Sequence, residues 1–371
     1  YPIKNYRLNP RDQNGKVKAV GQGTVSIKAM NDNSGVYGEQ VITVYDNTPA
    51  NYKVNVYVTN ENQNTTYTIN IPKDGTVVTP ASVAQSIKSN KFDVTQVSNS
   101  QWPNIKGAKG VNFIANIPLA YSYLGFKVGK WDAAKGENVM NKDAKMNNRS
   151  LRQAIAYGMN VDQVYKRYSS GLSFRIPTLI PKQFGDYFDK NVKGYTYNIK
   201  KGNELLDKAG YKKKGTYRVQ PNGKPLTIRL AAMSGSKVQE PIIQNYIQQW
   251  KKMGLNVKLT GGRLMEMNSF YDKVQNDSKD VDMFIGAWSL SSEPSPQDLY
   301  GAKAPFNYSR FVTKENTDLL NDIDSQKAFN NSYRVKKFHQ WQAYMDKEAY
   351  VVPVANSYNI YAINNKLTGY S

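Results

Sequence analysis

Residues 226–259 read LTIRLAAMSGSKVQEPIIQNYIQQWKKMGLNVKL. Apolar and polar residues alternate over 226–230 and again over 255–259, which is the pattern of half-buried strands. Between them, the amphipathic stretch 238–253 ends at Gly254, a residue that commonly terminates helices. Because short links join strand, helix and strand, we expect a parallel crossover, which is typical of an α/β fold.

The first hundred residues have a different pattern, rich in alternating Val, Ile, Thr and Tyr. We predict four strands there, at 24–28, 40–44, 53–58 and 66–71, separated by turn-forming residues. A helix is predicted to follow, with Thr79 as its N-cap and a proline in its first turn. The chain therefore begins β-rich and continues as mixed α/β structure.

Length and charge narrow the class of protein. The chain has 371 residues, which suggests two domains, and a formal net charge of +21. Lys is spread along the chain, with short clusters such as 212–214, whereas nucleic-acid modules concentrate basic residues on one element. We therefore predict a solvated basic surface suited to an anionic cell envelope, and no nucleic-acid partner.

The sequence contains few of the residue types and motifs that form enzyme active sites. There are no cysteines and a single histidine, His339, which excludes zinc sites built from several His or Cys residues. Neither a Gly-x-Ser-x-Gly nucleophile elbow nor a phosphate-binding Gly-x-x-x-x-Gly-Lys loop occurs. His339 lies in a polar helical stretch, where a solvated role is favoured. We predict no catalytic residue, no metal site and no cofactor.

Several motifs in the right order carry a family resemblance. Residues 83–94 combine a helix with an aromatic-Asp strand, 121–126 form a strand, and 149–160 (RSLRQAIAYGMN) are the most specific stretch. Trp288 is followed by an acidic-Pro step, and 348–353 close the chain as a strand. From about Pro80 onward, the sequence resembles the oligopeptide-binding receptors of family 5 of the extracellular solute-binding proteins.

The resemblance implies a two-lobed, periplasmic-binding-protein-like α/β fold of type II, with mixed sheets. It predicts that 1–125 form the β-rich part of lobe I, 126–347 form lobe II, and 348–371 return to lobe I. Relatives carry a further N-terminal stretch, so the chain corresponds to their C-terminal two-thirds. The start of the chain, YPIK, lacks the apolar run of a signal peptide.

The implied function is an extracytoplasmic receptor that closes around an oligopeptide and delivers it to the permease of a membrane ABC transporter. The resemblance places such a receptor, as a monomer, on the outer face of a bacterial cell membrane. A Gram-positive source and a lipid anchor on the full-length protein are expected.

The ligand-binding residues implied by the resemblance are Trp288, Ser289, Leu290, Ser291, Glu293, Tyr121, Tyr123, Tyr308 and Arg310. The tryptophan-bearing segment of the family lines the cleft and pairs with the backbone of the peptide. Some relatives have an aspartate at the position of Ser291, where it anchors the amino group of the peptide. A serine cannot form that ion pair, so Glu293 is a substitute anchor or a turn-capping carboxylate.

The other candidates each have a structural alternative. Tyr121 and Tyr123 share one face of their strand and line either the cleft or the core. Arg310 either meets a peptide carboxylate or lies in a surface loop with Tyr308. Arg152 is predicted to be structural.

Two other function classes remain open at this level. A cell-surface adhesin or anionic cell-wall-binding module would account for the net charge and the β-rich beginning. A hydrolase of envelope substrates would depend on His339, the single histidine.

Overall fold

The computed structural model describes residues 23–30, 37–44, 51–60, 63–72, 86, 89, 93–99 and 101–368. The predicted helix start at Thr79 lies outside these residues. Two compact units divide the chain: one comprises Tyr1–Asn116 and Tyr358–Ser371, and the other Ile117–Ser357. These divisions differ from the predicted boundaries at residues 125 and 348, because the strands Ala120–Phe126 and Val351–Ser357 both belong to the main sheet of the second unit.

The first unit contains the four predicted strands, and all four are confirmed. β1 (Gly23–Met30) pairs antiparallel with β2 (Tyr37–Val44), and β3 (Asn51–Asn60) pairs antiparallel with β4 (Gln63–Pro72). A three-stranded antiparallel sheet has the order β5-β17-β6, with the bounds Val94–Val97, Asn359–Asn364 and Val111–Asn116. A short helix, α1 (Trp102–Ile105), connects β5 and β6.

A six-stranded mixed sheet organises the second unit. Its order is β10-β16-β7-β15-β13-β14, with the bounds Ser173–Arg175, Val351–Ser357, Ala120–Phe126, Met283–Ser289, Thr227–Ala232 and Asn256–Leu259. β13 is parallel to β14 and β15, whereas β7 is antiparallel to β15 and β16. Helix α5 (Gln239–Lys252) joins β13 to β14, so the predicted parallel crossover is confirmed.

The remaining helices of this unit are α2 (Arg149–Tyr157), α3 (Val161–Tyr168), α4 (Ile199–Lys208), α6 (Met267–Gln275), α7 (Gln297–Tyr300), α8 (Lys314–Ile323) and α9 (Asn331–Glu348). Two small hairpins complete it, β8–β9 (Gly129–Asp132 with Glu137–Met140) and β11–β12 (Lys213–Lys214 with Tyr217–Arg218). Among the described residues, none of the helices combines the length and the hydropathy needed to cross a lipid bilayer.

The stretch 149–160 contacts several other elements of the second unit. Asn148 caps α2 by accepting a hydrogen bond from the backbone N–H of Leu151. The indole of Trp250 in α5 donates to the carbonyl of Ile155 at 2.8 Å. Arg152 is buried and donates hydrogen bonds to backbone carbonyls near the start of α2 and at the end of α9. Its predicted structural role is thus supported by its contacts.

Candidate functional site

The candidate site lies where β15 extends beyond its neighbour β13. β13 pairs with residues 283–285 of β15, whereas β7 pairs with the whole strand up to Ser289. The amide of Leu290 continues the ladder by donating to the carbonyl of Leu119 at 2.7 Å. Residues 286–289 therefore have a strand partner on one side only within the described part of the chain. An open strand edge can pair with an extended peptide.

Trp288 lies at the centre of an aromatic cluster on one face of this strand. Its indole ring stacks on Tyr123 at a centroid distance of 6.3 Å and on Tyr308 at 5.4 Å. Phe306 packs edge-on against it at 5.6 Å and is 48% exposed. Such contacts fix the orientation of a half-buried indole. Trp288 is therefore held rigidly at the open end of the strand.

Two glycines make room for this cluster. Gly286 lies opposite Tyr123 in the β15–β7 register, and a Cβ atom there would come within 3.1 Å of the phenol ring. Gly125 lies opposite Phe284, whose ring would be 2.4 Å from an added Cβ atom. The absent side chains let the large rings lie flat across the neighbouring strand.

The phenols of the cluster remain protonated. Tyr121 and Tyr300 share a hydrogen bond of 2.7 Å between their hydroxyls, and burial raises the pKa of both. The buried indole nitrogen of Trp288 has no well-aligned hydrogen bond, but it lies near the hydroxyls of Tyr123 and Tyr300 and favours their ionised forms. Burial outweighs that effect, so the cluster is neutral and mainly apolar.

A pocket of about 150 Å³ opens beside the end of β15. Five of the predicted residues line it: Tyr121, Ser289, Leu290, Ser291 and Glu293. The other wall residues were not predicted: Leu179, Ile180, Phe184, Pro294, Ser295, Pro296, Asp298 and Leu299. A sequence signal for the first two is the apolar pair at 179–180 enclosed by Pro177 and Pro181, but nothing local connects that pair to β15.

Glu293 already has partners at the rim of this pocket. Its carboxylate accepts from the amide of Ser295 at 3.1 Å and pairs with Arg334 at 2.8 Å. The hydroxyl of Ser291 accepts from the amide of Glu293 at 3.2 Å. These contacts favour the turn-capping alternative for Glu293 over a free anchor for a peptide amino group.

Arg310 lies neither in the pocket nor in a surface loop. Its guanidinium is 2% exposed and donates to Asp277 at 2.8 Å, to Asn138 at 3.0 Å and to two backbone carbonyls. The expected contact with a peptide carboxylate is therefore replaced by a structural role, because no open face of the guanidinium is left for a ligand.

Lys127 completes a buried ionic cluster with Asp277 and Arg310. Its ammonium contacts the carboxylate of Asp277 and donates to the carbonyls of Val274 at 3.0 Å and Tyr308 at 2.7 Å. Burial lowers the pKa of Lys127 to about 8, although Asp277 opposes the shift. This ionic cluster fixes the backbone of Tyr308, so it helps to hold the ring of Tyr308 in the aromatic cluster.

His339 has an ordinary environment. One ring nitrogen lies 2.8 Å from the carbonyl of Asp186. Among the described residues, no group of His, Cys, Asp and Glu side chains has the arrangement of a metal site.

The mixed sheet, the parallel crossover and the open strand edge are features of a periplasmic-type solute-binding protein. The sequence model of the bacterial extracellular solute-binding proteins, family 5 (middle region), matches residues 75–310. The chain belongs to this family, as the sequence analysis predicted. Membership of an extracellular family indicates an extracytoplasmic protein.

The relatives include oligopeptide receptors. The oligopeptide-binding protein OppA of Lactococcus lactis subsp. cremoris (strain SK11) is 39% identical over 298 residues, which are 79% of this chain and 50% of the relative. The oligopeptide-binding protein AppA of Bacillus subtilis (strain 168) is 24% identical over 262 residues, or 68% of this chain and 45% of the relative. The chain thus spans about half the length of the curated relatives it matches.

A solved structure supports the same fold. Lactococcal OppA, complexed with an endogenous peptide in the closed conformation, superposes with a TM-score of 0.74 at 34% identity, covering 89% of this chain and 62% of that one. The predicted fold class, periplasmic-binding-protein-like α/β with mixed sheets, is confirmed.

Proposed function

We propose that this chain is the peptide-binding part of an extracytoplasmic receptor that delivers oligopeptides to an ABC importer, and that it catalyses no reaction. The similarity to lactococcal OppA, whose structure holds a peptide, carries this proposal. The geometry of the site supports it, because an open strand edge lies next to a pocket large enough for one side chain.

In the proposed complex, an extended peptide adds to residues 286–289 through main-chain hydrogen bonds. Such bonds do not depend on side-chain identity, which suits a receptor for many sequences. Trp288 and Ser289 contact the peptide from the end of β15, Leu290 and Ser291 contact it from the residues that follow, and Tyr121 contacts it from the pocket. Tyr123 and Tyr308 hold the indole in place from behind, and Glu293 forms part of the rim.

The pocket is proposed to take one apolar side chain of the peptide. Leu179, Ile180, Phe184 and Leu299 contribute apolar walls, and the volume is about 150 Å³. A cavity of roughly that volume, lined by similar residues, binds a benzene-sized group. A leucine, isoleucine or phenylalanine side chain therefore fits, whereas an anionic side chain would lose hydration and face the carboxylates of Glu293 and Asp298.

The wider assignments belong to the same proposal. The full-length protein is a monomeric, lipid-anchored receptor on the outer face of a Gram-positive cell membrane, and it docks on the membrane permease. Neither a nucleic acid nor a cofactor takes part.

Native mass spectrometry tests the proposal. The protein is measured as purified, and again after denaturation and refolding with or without a mixed peptide pool. Added mass in the range of peptides, returning only with the pool, is expected. A bare mass throughout, with no rise in melting temperature when peptides are added, would show that this chain is not a competent receptor.

Filling the pocket should weaken peptide binding. The Ser291→Tyr substitution places a ring at the pocket wall and is expected to weaken binding of an apolar peptide by about 10-fold, or roughly 1.4 kcal/mol. Ser292→Tyr is the matched control, since Ser292 is also exposed but lies outside the pocket lining. Isothermal titration calorimetry with a peptide recovered from the protein measures the affinity of both variants. Equal affinities for the two variants would remove the pocket from the site.

A further inference from the structure

Positive charge is concentrated in one stretch of the chain. Residues 208–265 contain twelve Lys and Arg residues and one acidic residue, Glu240. This stretch holds about half of the net charge of +21. The sequence analysis predicted a basic surface from lysines spread along the chain, but the distribution is uneven.

Folding gathers six lysines of this stretch, from α4, the β11–β12 hairpin and α5, onto one surface. The hairpin β11–β12 packs on the end of α5, where the amide of Arg218 donates to the carbonyl of Gly254 at 2.7 Å. The side chain of Lys213 lies against Gly254, with its Cε atom 3.4 Å from the position of an added Cβ. Arg218 also binds Asp207 in the last turn of α4 at 2.5 Å. We call the resulting surface the basic face; it comprises Lys208, Lys212, Lys213, Lys214, Lys251 and Lys252.

The lysines of the basic face are exposed and not neutralised. All six are exposed, and none has an acidic partner within ion-pair distance in the described part of the chain. The neighbouring carboxylate of Asp207 is engaged by Arg218. Favourable interaction with helix C-termini accounts for Lys208, Lys251 and Lys252.

The lysines of the β11–β12 hairpin are not stabilised by a helix C-terminus. Lys213 lies directly opposite Arg218 in the β11–β12 register, and like charges at opposed positions destabilise a strand pair. An uncompensated cluster of this kind lowers the stability of the free protein and attracts an anionic partner.

We propose that the basic face binds a flexible polyphosphate chain, outside the peptide site. Lysine presents a mobile point charge, which matches a flexible chain of phosphates better than the fixed fork of arginine does. The exposed large hydrophobic residues of the described chain, Ile117, Tyr197, Phe306, Phe329, Tyr358 and Leu367, all lie outside residues 208–265. A surface that enters a lipid bilayer combines basic residues with apolar ones, so a polymer is favoured over a membrane.

The topology keeps the two sites apart within the second unit. β13 and β15 are parallel, so their carboxyl ends share one edge of the sheet, and the peptide site lies at that edge. α5 runs back from the end of β13 to the start of β14, so the basic face lies at the opposite edge. The protein can therefore hold a polymer while the end of β15 remains open to peptides.

Binding of labelled inorganic polyphosphate, measured by fluorescence anisotropy across a salt series, tests the proposal. The triple variant Lys212→Gln, Lys213→Gln, Lys214→Gln is expected to bind at least about 10-fold more weakly at low salt. The negative slope of log K against log [salt] should also become shallower by about 2 to 3, since each lost lysine removes one phosphate contact. The matched control is Lys135→Gln, Lys142→Gln, Lys303→Gln, which changes the net charge equally at exposed positions outside the face. It should keep its affinity within about twofold.

Other outcomes would overturn the proposal. These are no binding of polyphosphate, an equal loss in both triple variants, binding of polyglutamate as tight as that of polyphosphate, or tighter binding of vesicles that contain anionic phospholipid. The double variant Lys251→Gln, Lys252→Gln gives a second test if the hairpin variant is unstable. Native mass spectrometry with the peptide pool separates the two functions, because peptide retention should be unchanged in all of these variants.

Discussion

Replacing Asp277 with asparagine is expected to lower the free energy of unfolding by about 3–5 kcal/mol. The carboxylate of Asp277 pairs with both Lys127 and Arg310, and both cations are buried. Removing it leaves two like charges in an interior with little water. Its second oxygen also accepts from the amide of Trp131 at 2.8 Å, so the substitution disturbs the β8–β9 hairpin as well.

Urea unfolding at pH 7 measures the effect. The control is Asp280→Asn, three residues further on, because the ion pair of Asp280 with Lys273 is part-exposed, with side-chain exposures of 38% and 35%. Surface pairs of this kind contribute about 1 kcal/mol or less. Similar losses in both variants would show that Asp277 does not hold the buried cluster together.

Because of Lys127, the contribution of this buried ionic cluster to stability depends on pH. Its pKa is about 8 in the folded protein, compared with 10.5 for a solvated lysine. Between these values the unfolded chain binds more protons, so this group makes stability rise with pH, by at most about 3 kcal/mol. The Lys127→Met variant lacks that contribution. Its unfolding free energy relative to the unmodified protein should therefore fall from pH 8 to pH 10, and a constant difference would contradict the assigned pKa.

The Arg152→Ala substitution is expected to lower the free energy of unfolding by about as much as Asp277→Asn does. The side chain donates to the carbonyl of Glu348 through Nε and Nη2, and to those of Met146 and Asn147 through Nη1, at 2.7–3.1 Å. It also lies 4.0 Å from the ring centre of Tyr350. The Arg152→Ala variant leaves three carbonyls without this donor, and each buried unsatisfied group costs about 1–3 kcal/mol.

Arg149 is a close control for this prediction. It lies one helical turn earlier in α2 and also contacts Glu348, but through an ion pair of 2.9 Å, and its side chain is 50% exposed. Arg149→Ala should change the free energy of unfolding by less than about 1 kcal/mol. Arg152→Lys should recover only part of the loss, since one ammonium cannot reach all three carbonyls. Full stability in Arg152→Lys would show that charge, and not the fork of donors, matters at this position.

The order of helices and strands was largely predictable from the sequence. Alternation in 226–230 and 255–259, with Gly254 after an amphipathic stretch, predicted β13, α5 and β14, because period and helix termination are properties of neighbouring residues. The family was also predictable, since its motifs occur in a fixed order along the chain. The alternation that placed Tyr121 and Tyr123 on one face is confirmed by the distance of 6.1 Å between their ring centroids.

Only the tertiary structure decided what surrounds those residues. Arg310 is buried by Asp277, and the pocket joins Leu179 to Ser291, residues that are far apart in sequence. The basic face likewise depends on a hairpin docking against Gly254. Local patterns determine which residues form a strand or a helix, because hydrogen bonding and side-chain alternation act between near neighbours. Burial, ion pairing and pocket shape arise from contacts between distant segments, so the sequence alone did not assign them.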